Sequence, residues 1–215
     1  MAATASGNAE PFVFPREYSF PAFFTRQANL TTHHAQLTKW SALVLSYTRH
    51  HRIFRLTVSS AAESDLFCNR RLDRRLQIPD IRELLEFMRK DGRAEYVSSS
   101  SSSSSFPSGG GGDPSSSSSG GGGGREGGSG GGGDVVLIYW RRPSEWAHII
   151  ESFIESTAQK GSVLTLYELA EGEATRSTEL HGIDGDVLLK ALNVLVKKGK
   201  AQIFGHDDSQ GVKFF

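Results

Sequence analysis

Two stretches of this chain, 107 residues apart, carry one pattern. Ile81, Leu84, Leu85 and Met88 fall on Leu188, Ala191, Leu192 and Leu195. Gly92 falls on Gly199, Ala94 on Ala201 and Tyr96 on Ile203. In each copy an apolar helical stripe ends at a glycine and gives way to a strand. Helix–helix–helix–strand–strand within about 75 residues, met twice, is the pattern of a helix-turn-helix with a β-hairpin appended. The expected fold is α+β, with two winged-helix domains in tandem.

The remaining elements fit this frame. Leu37, Trp40, Val44 and Tyr47 form one face of a first helix from Thr32, with Thr31 or Thr32 as its cap. After an extended Ile53–Val58, Ser60 and Glu63 have the spacing of a capping box for a short second helix. The third helix follows Pro79, and Arg93–Val97 and Val135–Trp140 are the two wing strands. In the second copy, Pro143 and Ser144 open a helix that carries Trp146, Ile149, Ile150, Phe153 and Ile154 on one face. Thr165 caps a helix through Leu169, and Asp184 caps a third. Ala201–Phe204 and Gly211–Phe215 form the second hairpin.

The repeat also places the strangest segment of the chain. Between Ser98 and Asp134, Gly and Ser fill all but seven of 37 positions, and Phe106 is the one large apolar residue. Such a segment buries too little surface to offset chain entropy and is expected to be disordered. It lies between the two strands of the first wing rather than between domains. Closing a loop of this length costs only about 1–2 kcal/mol more than a short turn. The chain is therefore divided into a tail and arm at 1–29, a first winged helix at 30–142 with the insertion at 98–134, and a second at 143–215. The true junction, Trp140-Arg141-Arg142-Pro143, is short and predicts a rigid, elongated tandem.

The 24 Lys and Arg balance 24 Asp and Glu, so the chain lacks the field of a general nucleic-acid binder. One cysteine, Cys68, excludes an intramolecular disulfide framework and most cysteine-rich metal sites. No apolar run reaches the ~20 residues that span a bilayer, and no basic segment precedes an apolar one at the start, so a cytoplasmic protein is expected. Adjacent histidines, His33-His34 and His50-His51, point about 100° apart on a helix and cannot share an ion, so they read as solvated surface. The glycine tract has no strand entering it and no helix leaving it, so its formal match to a phosphate loop is empty. The sequon Asn29-Leu30-Thr31 reads as a turn and helix cap. No catalytic residue, metal site or cofactor is expected.

A winged helix raises the question of DNA, which such folds contact through the third helix. Here Arg82, Arg89 and Lys90 are offset by Glu83, Glu86 and Asp91. The second third-helix carries Lys190, Lys197, Lys198 and Lys200, and the densest cluster is Arg70, Arg71, Arg74 and Arg75. A winged-helix transcription regulator is the runner-up reading; protein partners are favoured.

Residues 11–24 pack six aromatics and three prolines into fourteen positions. Pro11, Pro15 and Pro21 are expected to hold this arm extended. Its rings either fold back on the chain's own core or dock into a partner's groove.

Tyr-Ser-Phe-Pro-Ala-Phe-Phe-Thr-Arg-Gln at 18–27, Trp140-Arg-Arg-Pro-x-Glu-Trp146, Thr165-Leu-Tyr-Glu-Leu169, His181-Gly-Ile-Asp184 and Gly211-Val-Lys-Phe-Phe215 together resemble one family. It is the small, twenty-five-series vacuolar protein sorting subunit of ESCRT-II. The resemblance implies a non-enzymatic scaffold in endosomal sorting of ubiquitinated cargo, present twice per complex and recruited peripherally to endosomal membranes, with no direct self-dimer required. It implies that the arm, through Tyr18, Phe20, Pro21, Phe23 and Phe24, and the first domain hold the two larger subunits. The second domain would recruit the initiating ESCRT-III subunit. Ala22 and Ala28 stand where the family has prolines, and the wing insertion has no counterpart in the family pattern.

Overall fold

A computed structural model describes residues 10–97, 134–205 and 210–215. The first unit comprises α1 (Leu30–His50), β1 (Arg55–Thr57), α2 (Val58–Ala62), β2 (Cys68–Asn69), β3 (Arg74–Arg75), α3 (Ile78–Lys90), β4 (Ala94–Tyr96) and β5 (Val135–Ile138). The second comprises α4 (Pro143–Ser156), β6 (Val163–Thr165), α5 (Leu166–Glu171), α6 (Gly185–Lys197), β7 (Ala201–Phe204) and β8 (Gly211–Phe214). Each unit has an antiparallel three-stranded sheet of the same order, β1-β5-β4 in one and β6-β8-β7 in the other. The two are winged helices, and the α+β repeat read from the sequence is present.

Local chemistry sets the boundaries. Gly92 and Gly199 end α3 and α6 with φ of 69° and 68°, a left-handed conformation that glycine adopts without a Cβ clash. Thr165 and Glu168 make a reciprocal capping box: the Glu168 N–H donates to Thr165 Oγ1 at 3.1 Å, and the Thr165 N–H donates to Glu168 Oε2 at 2.7 Å. Asn29, rather than Thr31 or Thr32, caps α1, accepting from the N–H groups of both threonines. The Ser60–Glu63 box does not form. β1 ends at Thr57 and the chain turns helical at Val58, so Ser60 is inside α2 and Glu63 is just past its end.

The two wing strands of the first unit meet on either side of the Gly/Ser insertion. Val97 N–H donates to the Val135 carbonyl at 3.0 Å, and Tyr96 pairs with Val136. Residues 98–133 themselves, where the insertion was expected to be disordered, lie outside the described residues, as do 206–209 in the second wing turn.

Alternation along β5 divides its side chains between two cores. Val136 and Ile138 face the first, with Trp40, Val44, Phe67, Ile81, Leu84 and Met88. Leu137 and Tyr139 face the other way and join Phe54 in the second core, against Trp146, Ile150, Leu180 and Leu188. The outer face of the first sheet is thus covered by the second unit. Between the end of β5 and the start of α4 lie only residues 139–142. The Glu145 carboxylate accepts from the Arg142 backbone N–H at 2.5 Å, fixing the start of α4 directly after that junction.

Candidate docking surface

The arm is folded, not extended. Residues Arg16–Ser19 and Pro21–Phe24 form two 3₁₀ turns, with Pro15 at the N-cap of the first and Pro21 opening the second. Proline's fixed φ suits the first position of a turn as well as an extended chain, which is why counting prolines misassigned the segment. The fold-back alternative holds for most of the rings. Tyr18, Phe23 and Phe24 are buried in the first core. Phe23 stacks on Trp40 with centroids 4.3 Å apart and planes 6° from parallel. Phe24 meets the same indole edge-on at 5.4 Å. Phe14 stacks on Tyr18 at 4.1 Å, and Phe12 packs among Tyr47, His50 and His51.

Polar groups lock the arm down. Trp40 Nε1 donates to the Phe23 carbonyl at 2.9 Å, and Gln36 Nε2 donates to the same oxygen at 2.8 Å and to Thr25 O at 2.9 Å. Asn69 Nδ2 donates to the Tyr18 carbonyl at 2.8 Å. Tyr18 donates its hydroxyl to the Asp65 carbonyl, and burial pushes its phenol well above the ordinary value. Lys39 pairs with Glu17 at 2.8 Å and lowers that carboxyl through a direct hydrogen bond. Gln36 and Asn69 escaped the sequence reading. The visible signal was a polar residue one helical turn before Trp40, inside the apolar stripe of α1.

Of the five arm residues singled out by sequence, only Phe20 and Pro21 face solvent; Phe20 is 49% exposed. Arg16 lies over its ring with Cζ 5.9 Å from the centroid. Beside it opens a groove of about 260 Å³, walled by Phe20, Ala22 and Phe23 of the arm and by Ala35, Gln36 and Lys39 of α1. The buried rings anchor the arm, while Phe20, Pro21 and Ala22 present it.

The other candidates resolve differently. His33 is not simply solvated surface: its Nε2 lies 3.1 Å from Glu83 Oε1 and ties α1 to α3. Among the described residues no cluster of three metal-ligating side chains occurs, and no helix is long and apolar enough to cross a membrane. Arg70 and Arg71 follow β2, and Arg74 and Arg75 are β3, in a two-stranded hairpin absent from the elements expected from the sequence. Arg70 lies 3.8 Å from Asp65 and Arg75 3.4 Å from Glu63, which halves the free charge of the cluster. The N-terminal turns of both third helices, which read DNA in helix-turn-helix proteins, are occupied. Arg26 pairs with Asp80 and Glu83 on α3, and Arg55 of the first unit grips Asp184 and Asp186 at the start of α6.

Comparison with known proteins fits this geometry. The family model described as "ESCRT-II complex subunit" matches residues 17–184. The chain is 39% identical over 207 residues to vacuolar protein-sorting-associated protein 25 of Homo sapiens, covering 96% of this chain and 99% of that one. It is 36% identical over 204 residues to the Danio rerio protein of the same name, covering 95% and 99%. A crystal structure described as subunit VPS25 of the endosomal trafficking complex ESCRT-II superposes with a TM-score of 0.73 at 24% identity, over 94% of this chain and 98% of that one. A structure of the whole complex, described as VPS22/VPS25/VPS36, contains a chain that superposes with a TM-score of 0.71. On these matches, with its tandem winged helices and its folded aromatic arm, the chain belongs to the ESCRT-II complex subunit family.

Proposed function

We propose that this chain is a non-enzymatic scaffold subunit of an ESCRT-II complex. In this reading it holds the two larger subunits through its arm and first unit, and recruits the initiating ESCRT-III subunit through its second. It acts from the cytoplasm, at the endosomal membrane, in multivesicular-body sorting of ubiquitinated cargo. The match to VPS25 proteins over nearly the whole of both chains supports it, as does the presence of VPS25 beside VPS22 and VPS36 in a solved complex.

The observation that carries the docking role is the division of labour within the arm. A segment that served only to close the core would bury its rings, as Tyr18, Phe23 and Phe24 do. Phe20 instead stays half exposed beside an apolar groove, with Pro21 next to it. Aromatic anchors that meet a groove are the usual centre of a protein interface. The rigid 3₁₀ turns hold them in place before binding, which lowers the ordering cost of association.

The test is co-expression with the VPS22-type and VPS36-type subunits. Phe20→Asp should lower recovery of the complex at least tenfold while the thermal transition of the free chain stays within about 2 °C, as expected of an exposed substitution. Undiminished recovery of the complex would sink this assignment of the docking surface. Deleting residues 11–24 is a poor substitute, because it strips three rings from the core as well as the exposed one.

A further inference from the structure

The two copies of the fold carry different side chains where they meet. Trp40 and Trp146, both buried, stand the same distance before Arg52 and Ala158, which close α1 and α4 in the left-handed conformation with φ of 54° and 53°. Strand register carries the match into the sheets. Ala94 pairs with Ile138 as Ala201 pairs with Phe214, and Thr57 with Val135 as Thr165 with Gly211. Tyr139 therefore corresponds to Phe215, Leu137 to Lys213, Glu95 to Gln202 and Arg55 to Val163. Along the helices, Arg49 corresponds to Glu155 and Arg52 to Ala158. The fold needs no arginine at 49, 52 or 55 and no carboxylate at 95, because its second copy is built without them. They occur in the copy whose sheet is covered by another unit.

Arg55, Leu137 and Glu95 lie side by side in one row across the first sheet: a cation, an apolar side chain and an anion. Leu137 is buried in the core shared with the second unit. The start of α6 reads the two ends of the row. Arg55 forks onto Asp184, with Nε 2.6 Å from Oδ2 and Nη2 3.3 Å from Oδ1, and reaches Asp186 Oδ2 at 2.6 Å. Lys190 Nζ meets Glu95 Oε1 at 2.5 Å, and Tyr139 donates its hydroxyl to Glu95 Oε2 at 2.8 Å. Asp186 and Lys190 share one face of α6, about 6 Å apart along its axis. Arg55 and Glu95 stand two strand spacings apart, roughly 10 Å. The helix therefore fits the row in one direction. Reversed, it would set Asp186 against Glu95 and Lys190 against Arg55.

Three more arginines hold the loop that leads into α6. Arg52 Nη2 donates to the carbonyls of Glu179, at 3.0 Å, and His181. The Glu179 carboxylate accepts Arg141 at 2.6 Å and faces Arg49 at 3.4 Å. Arg55 is 44% and Arg49 59% exposed, and ion pairs this open to solvent add little adhesion. Burial of Phe54, Leu137 and Tyr139 against Trp146 and Leu188 supplies the adhesion, but apolar contact has no preferred direction. The charges supply the direction.

We propose that Arg55 and Glu95, with Arg49, Arg52 and Arg141 on the loop, are positioning residues that fix the angle at which the second unit projects from the first, while the shared apolar core holds the two together. The use of that angle rests on the scaffold reading above: it sets the direction in which a recruited protein is presented relative to the arm. The angle itself depends on no partner.

The test is pulsed dipolar EPR on the full chain, spin-labelled at Thr38→Cys on α1 and Asn193→Cys on α6 in a Cys68→Ser background. The parent should give one narrow distance distribution. Arg52→Ala combined with Arg55→Ala should at least double its width, with a thermal transition within about 3 °C of the parent. Arg55→Lys, which keeps the charge and loses the fork, should fall between the two. Phe54→Ala should do the reverse, lowering the thermal transition while the mean distance stays. Salt at about 1 M should broaden the parent toward the double variant and leave the variant as it is. Distributions that superpose for parent and double variant, at low and at high salt, overturn the proposal. So does a loss of thermal stability in the double variant as large as that of Phe54→Ala, which would make the arginines adhesive. Either result leaves the scaffold reading intact, and failure to recover the complex on co-expression, which sinks that reading, leaves the angle untouched.

Discussion

Trp40 and Trp146 hold the same place in two copies of one fold, and each needs aromatic cover. For Trp146 the cover is tertiary: Phe54 and Trp140 arrive from the preceding unit and make the two units share a core. For Trp40 the cover is local: a contiguous arm supplies Phe23 and Phe24. A repeat fold must solve its terminal faces separately, because each internal unit relies on a neighbour for burial. Here the first end is closed by fourteen residues of aromatic-rich chain, and one ring, Phe20, is left half exposed.

The comparison breaks most readily at the arm. Removing residues 10–24 withdraws Tyr18, Phe23 and Phe24 from the first core. At about 1.5–3 kcal/mol per fully buried ring, the loss is roughly 5–9 kcal/mol. That is comparable with the whole stability of a small domain, about 5–15 kcal/mol. Hydrogen exchange should show loss of protection in α1 and α3, with α6 retaining more of its own. Retention of full protection across α1 would show that the arm is an ornament on a core that closes without it.

Single rings sharpen the contrast. Phe23→Ala and Phe54→Ala should each cost about 3–5 kcal/mol, since each empties a site against a tryptophan. Their patterns should differ. The first lowers the urea midpoint of the first unit alone, while the second lowers both, because Phe54 is first-unit chain in second-unit core. Identical, fully coupled transitions for both variants would erase the distinction drawn between a local cap and a shared one. A smaller effect is expected at Gln36→Leu. The buried amide serves the carbonyls of Phe23 and Thr25, and its loss removes one of two donors from each, against about 1–3 kcal/mol for a buried group left wholly unpaired; Gln27 Nε2 still serves Thr25. Trp40 Nε1 still serves Phe23, so the lower half of that range is expected in denaturation.

Much of this architecture was legible in the sequence because periodicity reports which faces are buried. The stripe Ile81, Leu84, Leu85, Met88 and its copy, the terminal glycines, and the caps at Thr165 and Asp184 all report local rules that the fold obeys. What covers a buried face is a tertiary fact, and there the sequence was ambiguous. Tyr18 and Phe23 looked as apt for a partner's groove as for the chain's own core. The equivalence of Tyr139 and Phe215, one buried and one exposed, needs strand register to be seen. The Arg70–Arg75 cluster read as a charge run, because a two-residue strand pair such as β2–β3 is too short for alternation to show.

The seam between the units holds a carboxyl clasped by two guanidiniums, and this separates it by pH from the uncharged contact of Phe23 on Trp40. Glu179 accepts Arg141 at 2.6 Å and faces Arg49 at 3.4 Å, both first-unit side chains. The hydrogen bond from Arg141, with the charges of both guanidiniums, outweighs partial burial and holds its carboxyl below the ordinary 4.5. A carboxyl whose folded value lies below its unfolded one adds stability that is present above pH 4.5 and is lost as pH falls through the lower, folded value. Glu179→Gln should therefore be less stable than wild type near pH 7, and the gap should close on acidification below 4.5. The side chain is half exposed, so solvent screening keeps the difference under about 1 kcal/mol. Phe23, Trp40 and Gln36 do not titrate in this range, so Phe23→Ala should show a deficit that does not close with acid. Urea denaturation of the three proteins at pH 7 and pH 3.5 measures both gaps. A Glu179→Gln gap that persists in acid would mean that the side chain supports the seam by packing rather than by charge.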